Sequence, residues 1–180
     1  MSPALVPALA PVQDAELADI VALVNSAYRG ALATRGWTSE SDLLGGQRTD
    51  EETLRADLAA KPGAAILTFR DGPEDKPHAC AWVEPTDGEA WYVGMVTVSP
   101  LRQDGGLGRA MLEACEAHAK ARGGRRMRMT VISVRDTLIA WYQRRGYQLT
   151  GETQPFPYGD ERFGQPQRDD LAFVVLEKTL

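Results

Sequence analysis

Apolar and polar residues alternate along the chain in a way that predicts four helices. Leu17, Ile20, Val21, Val24 and Tyr28 recur at the spacing of one helical face. A second face of this kind begins at Leu107, and Thr49 with Glu52 forms a capping-box pattern at the start of another helix. Glycine or a Lys-Pro-Gly run follows each segment and predicts its end. The predicted helices span about residues 14–29, 49–61, 107–122 and 133–145.

Short apolar runs between polar turns predict about seven strands. Three of them follow one another through short turns, which favours an antiparallel arrangement. The fourth and fifth strands are joined through a helix, so we expect these two to run parallel. The 180 residues fit one domain, and the order of elements predicts an α/β fold with a mixed, mostly antiparallel sheet. The predicted strands are Ala4–Leu9, Ala64–Phe69, His78–Glu84, Glu89–Val98, Arg125–Val134, Tyr147–Glu152 and Leu171–Glu177.

Composition and charge exclude several classes of protein. A formal net charge of −5 argues against a general nucleic-acid binder. Cys80 and Cys115 stand apart from each other, which is typical of a reducing compartment. The proline-broken N-terminus lacks the basic segment of a signal peptide, and no apolar run reaches transmembrane length. We therefore expect a cytoplasmic protein without a membrane or nucleic-acid partner. His78 and His118 have no ligand-type neighbours at metal spacing, so we expect no metal.

The stretch Val93–Arg109 carries the clearest chemical pattern, because a strand passes through glycines directly into a helix. Such a turn points backbone N–H groups at one spot, where the helix dipole favours an anion such as a phosphate. The pattern lacks the Lys of a P-loop and the last glycine or alanine of a dinucleotide-binding turn. An ordinary glycine turn between strand and helix is the competing interpretation at this point.

Two motifs resemble the GNAT superfamily of acyl-CoA-dependent N-acyltransferases. The family loop Q/R-x-x-G-x-G/A is matched by Gln103, Gly106 and Gly108. A later helix, RDTLIAWYQRRGY, is similar to the family's N-x-x-A-x-x-x-Y-x-x-x-G-F/Y helix, with Tyr142 at the tyrosine position. Arg135 and Leu138 depart from this pattern, where the family has Asn and Ala. The order of elements agrees over nearly the full length.

The resemblance implies a site for acetyl-CoA, with the loop amides holding the pyrophosphate. It also implies that the fourth and fifth strands splay apart to admit pantetheine, with the backbone of Val96 and Val98 bonding its amides. Strand alternation places Tyr92, Gly94, Val96 and Val98 on one face, with Gly94 leaving room for an acyl group or substrate. The amides predicted to hold the pyrophosphate are those of Gln103, Asp104, Gly105, Gly106, Leu107, Gly108 and Arg109.

Tyr142 corresponds to the family's tyrosine beside the thioester sulfur, which implies that it acts as the general acid. A buried aromatic at a helix end is the structural alternative. Some relatives carry a glutamate base on the fourth strand, but the matching position here is Tyr92. Glu84, Glu89 and Glu40 are the remaining candidates for the base, with Glu84 preferred. Neither cysteine lies near the predicted cleft, so we expect direct attack in a ternary complex.

The resemblance implies transfer of acetyl to a primary amine of a small molecule or of a protein. Residues in the segments that line the acceptor side in relatives are Tyr28, Trp37, Tyr92, Phe156 and Tyr158. The loop around Trp37 has two interpretations, a functional loop or a surface loop with Trp37 anchored in the core. A coenzyme-A-binding sensor without turnover is the rival function. Relatives are commonly dimers, although no part of the sequence indicates an interface.

Overall fold

The computed structural model describes residues 12–29, 43–72, 74–102, 105–160 and 165–180. Within these ranges a 3₁₀ turn (Asp14–Glu16) leads into the first of four α-helices. The helices are α1 (Leu17–Tyr28), α2 (Glu51–Ala60), α3 (Leu107–Ala121) and α4 (Asp136–Gln143). The strands are β1 (Leu44–Gly45), β2 (Ala65–Phe69), β3 (Ala79–Pro85), β4 (Ala90–Val98), β5 (Arg126–Ile132), β6 (Gln148–Pro155), β7 (Gln165–Pro166) and β8 (Ala172–Thr179).

The described strands form a six-stranded sheet in the order β2-β3-β4-β5-β8-β6 and a separate two-stranded ribbon, β1-β7. Every pair in the large sheet is antiparallel except β4 with β5. The predicted mixed sheet with one parallel pair is thereby confirmed. The predicted strand Ala4–Leu9 lies outside the described residues, although the Val12 N–H donates to the carbonyl of Ile66 in β2 (2.9 Å).

Strand β8 lies between β5 and β6, so the last strand fills the interior of the sheet. Its register on β5 runs from Phe173 opposite Ile132 to Thr179 opposite Arg126. The hydrophobic pattern indicates the two final strands but contains no information about this insertion.

Helices cover both faces of the sheet, which gives two apolar layers. Met111, Leu112 and Cys115 of α3 pack with residues of α4 on one face. On the other face, Ile20 and Val24 of α1 pack against Cys80 and Trp82 of β3. No helix in the described ranges is long and apolar enough to cross a membrane.

The parallel pair β4–β5 is joined only at its beginning. Ala90, Trp91 and Tyr92 pair with Arg126, Met127 and Arg128, and the two strands separate beyond that point. This confirms the predicted splay. The separation opens a cleft between strands whose far ends lead to α3 and α4.

A bulge at Met95 changes which residues of β4 face each layer. Met95 has φ +51°, and it shares one partner position with Val96 because Gly94 lies opposite Trp82 and Thr97 opposite Cys80. Val96 consequently packs in the layer under α3, as does Val98, whereas Tyr92 and Met95 pack in the layer under α1. The prediction that Tyr92, Gly94, Val96 and Val98 share a face is wrong, because the extra residue shifts the alternation by one.

Helix α2 begins one residue later than the sequence indicates. Asp50 is its N-cap, and its carboxylate accepts a hydrogen bond from the Thr53 N–H (2.8 Å). The predicted capping box of Thr49 and Glu52 is therefore wrong. Thr49 instead joins α1, because its N–H donates to Asn25 Oδ1 (3.1 Å) and its carbonyl accepts from Asn25 Nδ2 (3.0 Å).

Candidate functional site

The glycine turn lies between β4 and α3 and leaves open space in front of the helix. Gly106 is the N-cap of α3 with φ +76°, a left-handed conformation that disfavours other residues. A Cβ built at Gly105 or Gly106 would meet no atom within 4 Å. Gln103 and Asp104 lie outside the described residues, so their predicted roles stay predictions.

The N-terminus of α3 differs electrostatically from those of the other described α-helices. It has no side-chain cap and no acidic residue in its first turn, whereas α1, α2 and α4 each carry at least one carboxylate there. Helix geometry leaves the first N–H groups, those of Leu107, Gly108 and Arg109, without intrahelical acceptors. An anion in this position would therefore be stabilised by unopposed dipoles. The Arg109 side chain itself pairs with Glu113 (2.9 Å) on the exposed surface.

The segment that leads into the glycine turn is tied to the β2–β3 hairpin. The Arg102 guanidinium donates to both carboxylate oxygens of Asp71, at 3.3 and 3.1 Å, and His78 Nε2 lies 2.9 Å from Asp71 Oδ2. Hydrogen bonds from Arg102 and His78 lower the pKa of Asp71 from its ordinary value. The turn thus starts from a fixed point, one residue before Gln103.

The separated strands β4 and β5 enclose a cleft, whose volume including its open entrance is about 800 Å³. Residues of β4 and β5 line the cleft, and so does Tyr28 of α1. The Tyr28 hydroxyl donates to the Val96 carbonyl (2.5 Å), so it holds the backbone of β4 at the position where the strand bulges. Tyr28, Tyr92, Val96, Phe156 and Tyr142 all line this cleft, so the structure brings five predicted residues together.

Tyr142 reaches the cleft from α4 and is almost fully buried. Its ring makes edge-to-face contacts with Trp141 and Tyr147, at centroid distances of 5.1 and 6.0 Å. Burial raises the pKa of its hydroxyl well above the ordinary value, and the neighbouring Tyr28 adds to this effect. The hydroxyl is accordingly protonated throughout the physiological pH range and can donate a proton.

The ring of Tyr92 covers Gly94. A Cβ built at Gly94 would lie 2.8 Å from Cε1 and from the hydroxyl oxygen of Tyr92. The Tyr92 hydroxyl also lies 3.5 Å from Thr130 Oγ1 on β5. The ring therefore fills the space on the side of Gly94 where a Cβ would lie, although Gly94 itself lines the cleft.

We expect Gly94→Ala to lower the free energy of unfolding by about 1–3 kcal/mol, because the new methyl group would displace the Tyr92 ring. A double-mutant cycle with Tyr92→Ala checks this by urea denaturation. In the Tyr92→Ala background, Gly94→Ala should cost less than about 0.5 kcal/mol. An equal cost in both backgrounds would show that the ring does not require the glycine.

Other predicted residues either do not line the cleft or lie outside the described residues. Glu84 does not line the cleft, and its carboxylate accepts from Trp82 Nε1 (3.0 Å) and pairs with Lys61 (3.2 Å). Tyr158 is half exposed, and its hydroxyl donates to the Arg168 carbonyl (3.0 Å) outside the cleft. Trp37 lies outside the described residues, as does Glu40. Glu89 pairs with Arg125 on the surface.

Sequence reasoning missed the arginines of the cleft. Arg29, Arg48 and Arg135 line it, and no Asp or Glu does so among the described residues. Arg48 also lines an adjacent open groove with Asp57, Lys61, Trp82 and other residues next to α2. No periodicity or motif marks these arginines. Only the departure of Arg135 from the family's Asn drew attention to one of them.

Neither cysteine can serve as a nucleophile in this cleft. Both side chains are completely buried, and neither lines the cleft. Burial raises the pKa of the Cys80 thiol to about 12 and raises that of Cys115 as well. A thiolate is the reactive form, so both thiols are inert at neutral pH.

Comparisons with known proteins agree with this geometry. The family model described as the acetyltransferase (GNAT) family matches residues 32–147. Among solved structures, a ribosomal-protein-alanine N-acetyltransferase from Brucella melitensis is 19% identical and superposes with a TM-score of 0.68, covering 96% of this chain and 99% of its own. A search of curated proteins finds no match.

Two further solved structures share the fold at low identity. The ribosomal-protein-S18-alanine N-acetyltransferase from Escherichia coli is 15% identical, with a TM-score of 0.68 over 96% of this chain and 93% of its own. A phosphinothricin acetyltransferase from Sinorhizobium meliloti, in complex with AcCoA, is 15% identical, with a TM-score of 0.67 over 98% of this chain and 89% of its own.

Proposed function

Since the chain belongs to the acetyltransferase (GNAT) family, we propose that it transfers an acetyl group from acetyl-CoA to a primary amine in a ternary complex. The observation that carries this proposal is the cleft between the only parallel pair among the described strands, with buried Tyr142 at its side. The two inert cysteines support direct attack over a covalent acyl-enzyme.

The described residues fit acetyl-CoA. Open space in front of Gly105 and Gly106 meets the uncapped start of α3, where the amides of Leu107, Gly108 and Arg109 would hold the pyrophosphate. Backbone groups of β4 at Val96 and Val98 would hold the pantetheine arm. When bound, acetyl-CoA supplies an activated thioester carbonyl.

Tyr142 is the general acid of the proposal. Its raised pKa keeps the hydroxyl protonated, so it can give a proton to the departing sulfur. Tyr28 fixes the carbonyl of Val96 and thereby the edge of β4 that borders the cleft. Both residues lie in the last turn of a helix, Tyr28 in α1 and Tyr142 in α4.

The acceptor nitrogen must lose a proton before it attacks. An alkyl amine with a pKa near 10.4 is only about one thousandth neutral at pH 7.4. No described carboxylate lines the cleft, and Glu84 is engaged by Lys61 and Trp82. We therefore propose that this proton leaves to water at the cleft mouth, with Glu84 retained only as a prediction from sequence.

Turnover of acetyl-CoA with a panel of small primary amines tests the function. We expect release of free thiol, followed with a thiol reagent, that depends on both the amine and the protein. Calorimetric titration with acetyl-CoA serves as the control for binding. Tight binding without thiol release on any amine would contradict an enzyme and support a coenzyme-A sensor.

Three further predictions concern the domain organisation, the cellular compartment and the acceptor. We propose that residues 1–180 act as one domain, that the protein works in the cytoplasm, and that its acceptor is a small molecule rather than a protein. The reduced, buried cysteines support a location in the cytoplasm. The apolar wall of the cleft supports a small-molecule acceptor. A dimer stays a prediction from relatives, for which light scattering is the direct measurement.

A further inference from the structure

The side chain of Arg48 lies between the cleft and the groove next to α2. Its guanidinium lies 5.6 Å from the centroid of the Tyr28 ring and lines both the cleft and the groove next to α2. It forms no ion pair with any residue in the described ranges. Its charge thus faces space that a ligand can enter.

The backbone of Arg48 is fixed, so the guanidinium starts from a defined position. Its N–H donates to Asn25 Oδ1 (2.7 Å), and the same oxygen accepts from the Thr49 N–H (3.1 Å). Asn25 Nδ2 in turn donates to the Thr49 carbonyl (3.0 Å). Three hydrogen bonds with the Asn25 side chain of α1 therefore fix the position of the segment that contains Arg48. An arginine that stacks on an aromatic ring is well suited to bidentate binding of a carboxylate.

Two further arginines line the cleft. Arg29 and Arg135 contribute two further guanidinium groups to its lining, and the described lining contains no Asp or Glu. Because no described carboxylate pairs with it, the charge of Arg48 favours an acceptor that carries a negative group and disfavours a polyamine.

One wall of the cleft is apolar and buried. Ile132 at the end of β5 packs with Phe156 and Leu44 in a single cluster, and Phe156 stacks on Phe173 at a centroid distance of 5.5 Å. All four residues line the cleft. An acceptor that fits this wall has an apolar body.

From these observations we infer that the acceptor is an amino-carboxylate with an apolar side chain, and that Arg48 binds its carboxylate. The inference rests on the proposed acetyl transfer and names the substrate class of the same site. In the reaction, the acceptor nitrogen forms a bond to the acetyl carbon while the thioester carbon–sulfur bond breaks. The acceptor ammonium first loses one proton to water, and the nitrogen loses a second proton to water as the amide forms. The sulfur takes a proton from Tyr142, which regains one from water, so that each turnover releases one proton.

Matched pairs of acceptors test the substrate class. L-leucine, L-methionine and L-phenylalanine are compared with their primary amides by thiol release at saturating acetyl-CoA. The amide lowers the pKa of the neighbouring ammonium and so raises the fraction of reactive neutral amine. We nevertheless expect kcat/KM to be at least about 10-fold higher for the acids, since a charged hydrogen bond contributes that much to binding. A preference for the acids would therefore indicate binding of the carboxylate, because the difference in amine pKa acts in the opposite direction.

Variants of Arg48 test whether this residue binds the carboxylate of the acceptor. Arg48→Gln should lower the acid-to-amide ratio of kcat/KM by about 10–100-fold, mainly through KM, and Arg48→Lys should lower it less. Arg55→Gln is the matched control, because Arg55 is an exposed arginine of α2 that pairs with Asp14 outside both the cleft and the groove. It should leave the ratio unchanged. Circular dichroism confirms that each variant is folded.

A binding measurement without acetyl-CoA gives a second readout. Isocaproate, which is leucine without its amino group, should bind the wild type in calorimetry more tightly than isocaproamide, and Arg48→Gln should abolish the difference. Equal or better use of the amides by the wild type, exclusive use of protein amines, or a ratio that Arg48→Gln does not change would overturn the inference. In those cases acetyl transfer itself would still be observed. Failure of the proposed function is distinct, since no amine of any class would then release thiol.

Discussion

Replacing Tyr142 by phenylalanine is expected to lower kcat by about 10²–10⁴-fold, because the departing sulfur loses its proton donor. The substitution removes one oxygen and keeps the ring, whose contacts with Trp141 and Tyr147 hold the cleft side of α4 in place. The Kd for acetyl-CoA should therefore change little. Steady-state thiol release at saturating acetyl-CoA and amine measures kcat, and calorimetry measures the Kd.

Tyr147→Phe is the matched control for this change. Tyr147 is also buried, but its hydroxyl donates to Glu116 Oε1 (2.9 Å) on α3 and does not line the cleft. Removing it should cost about 1 kcal/mol of stability and leave kcat near the wild-type value. Similar losses of kcat in both variants would assign Tyr142 to packing rather than to proton transfer.

The pH profile gives an independent check on the same residue. A general acid works only while protonated, and burial raises the pKa of Tyr142 above its ordinary value. The acid is then intact over the range in which the acceptor amine becomes neutral. We expect kcat/KM to rise with pH and to show no descending limb below about pH 10. A fall between pH 7 and 9 would indicate a different acid.

Replacing Gly106 by leucine is expected to raise the Kd for acetyl-CoA by about 100-fold. A side chain at this position would enter the open space in front of α3, where the pyrophosphate is proposed to bind. Loss of one or two charge-assisted hydrogen bonds to the helix amides accounts for an effect of this size. Calorimetric titration with acetyl-CoA measures it.

Gly123→Leu controls for backbone strain. Gly123 follows the opposite end of α3, has φ +85°, and likewise has no atom within 4 Å of a built Cβ. Both substitutions force a non-glycine residue into the left-handed region at a cost of about 1–2 kcal/mol. Only Gly106→Leu should weaken binding. Unchanged binding in Gly106→Leu would place the pyrophosphate elsewhere.

The sequence was sufficient to predict the elements around the cleft because local signals specify them. The helical face that starts at Leu107, the glycines before it and the strand–helix–strand order are all short-range features. They correctly predicted β4, α3, β5 and the parallel pairing of the two strands. The two family motifs then drew attention to Tyr142, which the structure places in the cleft.

Features set by tertiary contacts could not be predicted in the same way. The bulge at Met95 leaves no mark in the run WYVGMVTV, so strict alternation gave Val96 and Val98 the wrong face. Asp50, Thr49 and Glu52 all suit a helix start, and Thr49 is excluded as the cap by its bonds to Asn25.

The arginines of the cleft were missed for a similar reason. Arg48 lies in a polar stretch whose composition resembles that of any surface loop. Only the hydrogen bonds to Asn25 and the ring of Tyr28 bring it to the mouth of the cleft.

The place of β8 in the sheet has a consequence for synthesis on the ribosome. The strands emerge in chain order, yet β5 and β6 do not pair with each other in the sheet, because β8 (Ala172–Thr179) lies between them. The outer edge of β5 and all of β6 must therefore remain unpaired until residues 172–179 leave the exit tunnel. Closure of such long-range pairs is slow, and exposed edges invite aggregation during the delay. Chaperones that bind nascent chains should accordingly matter most between the synthesis of β6 and that of β8.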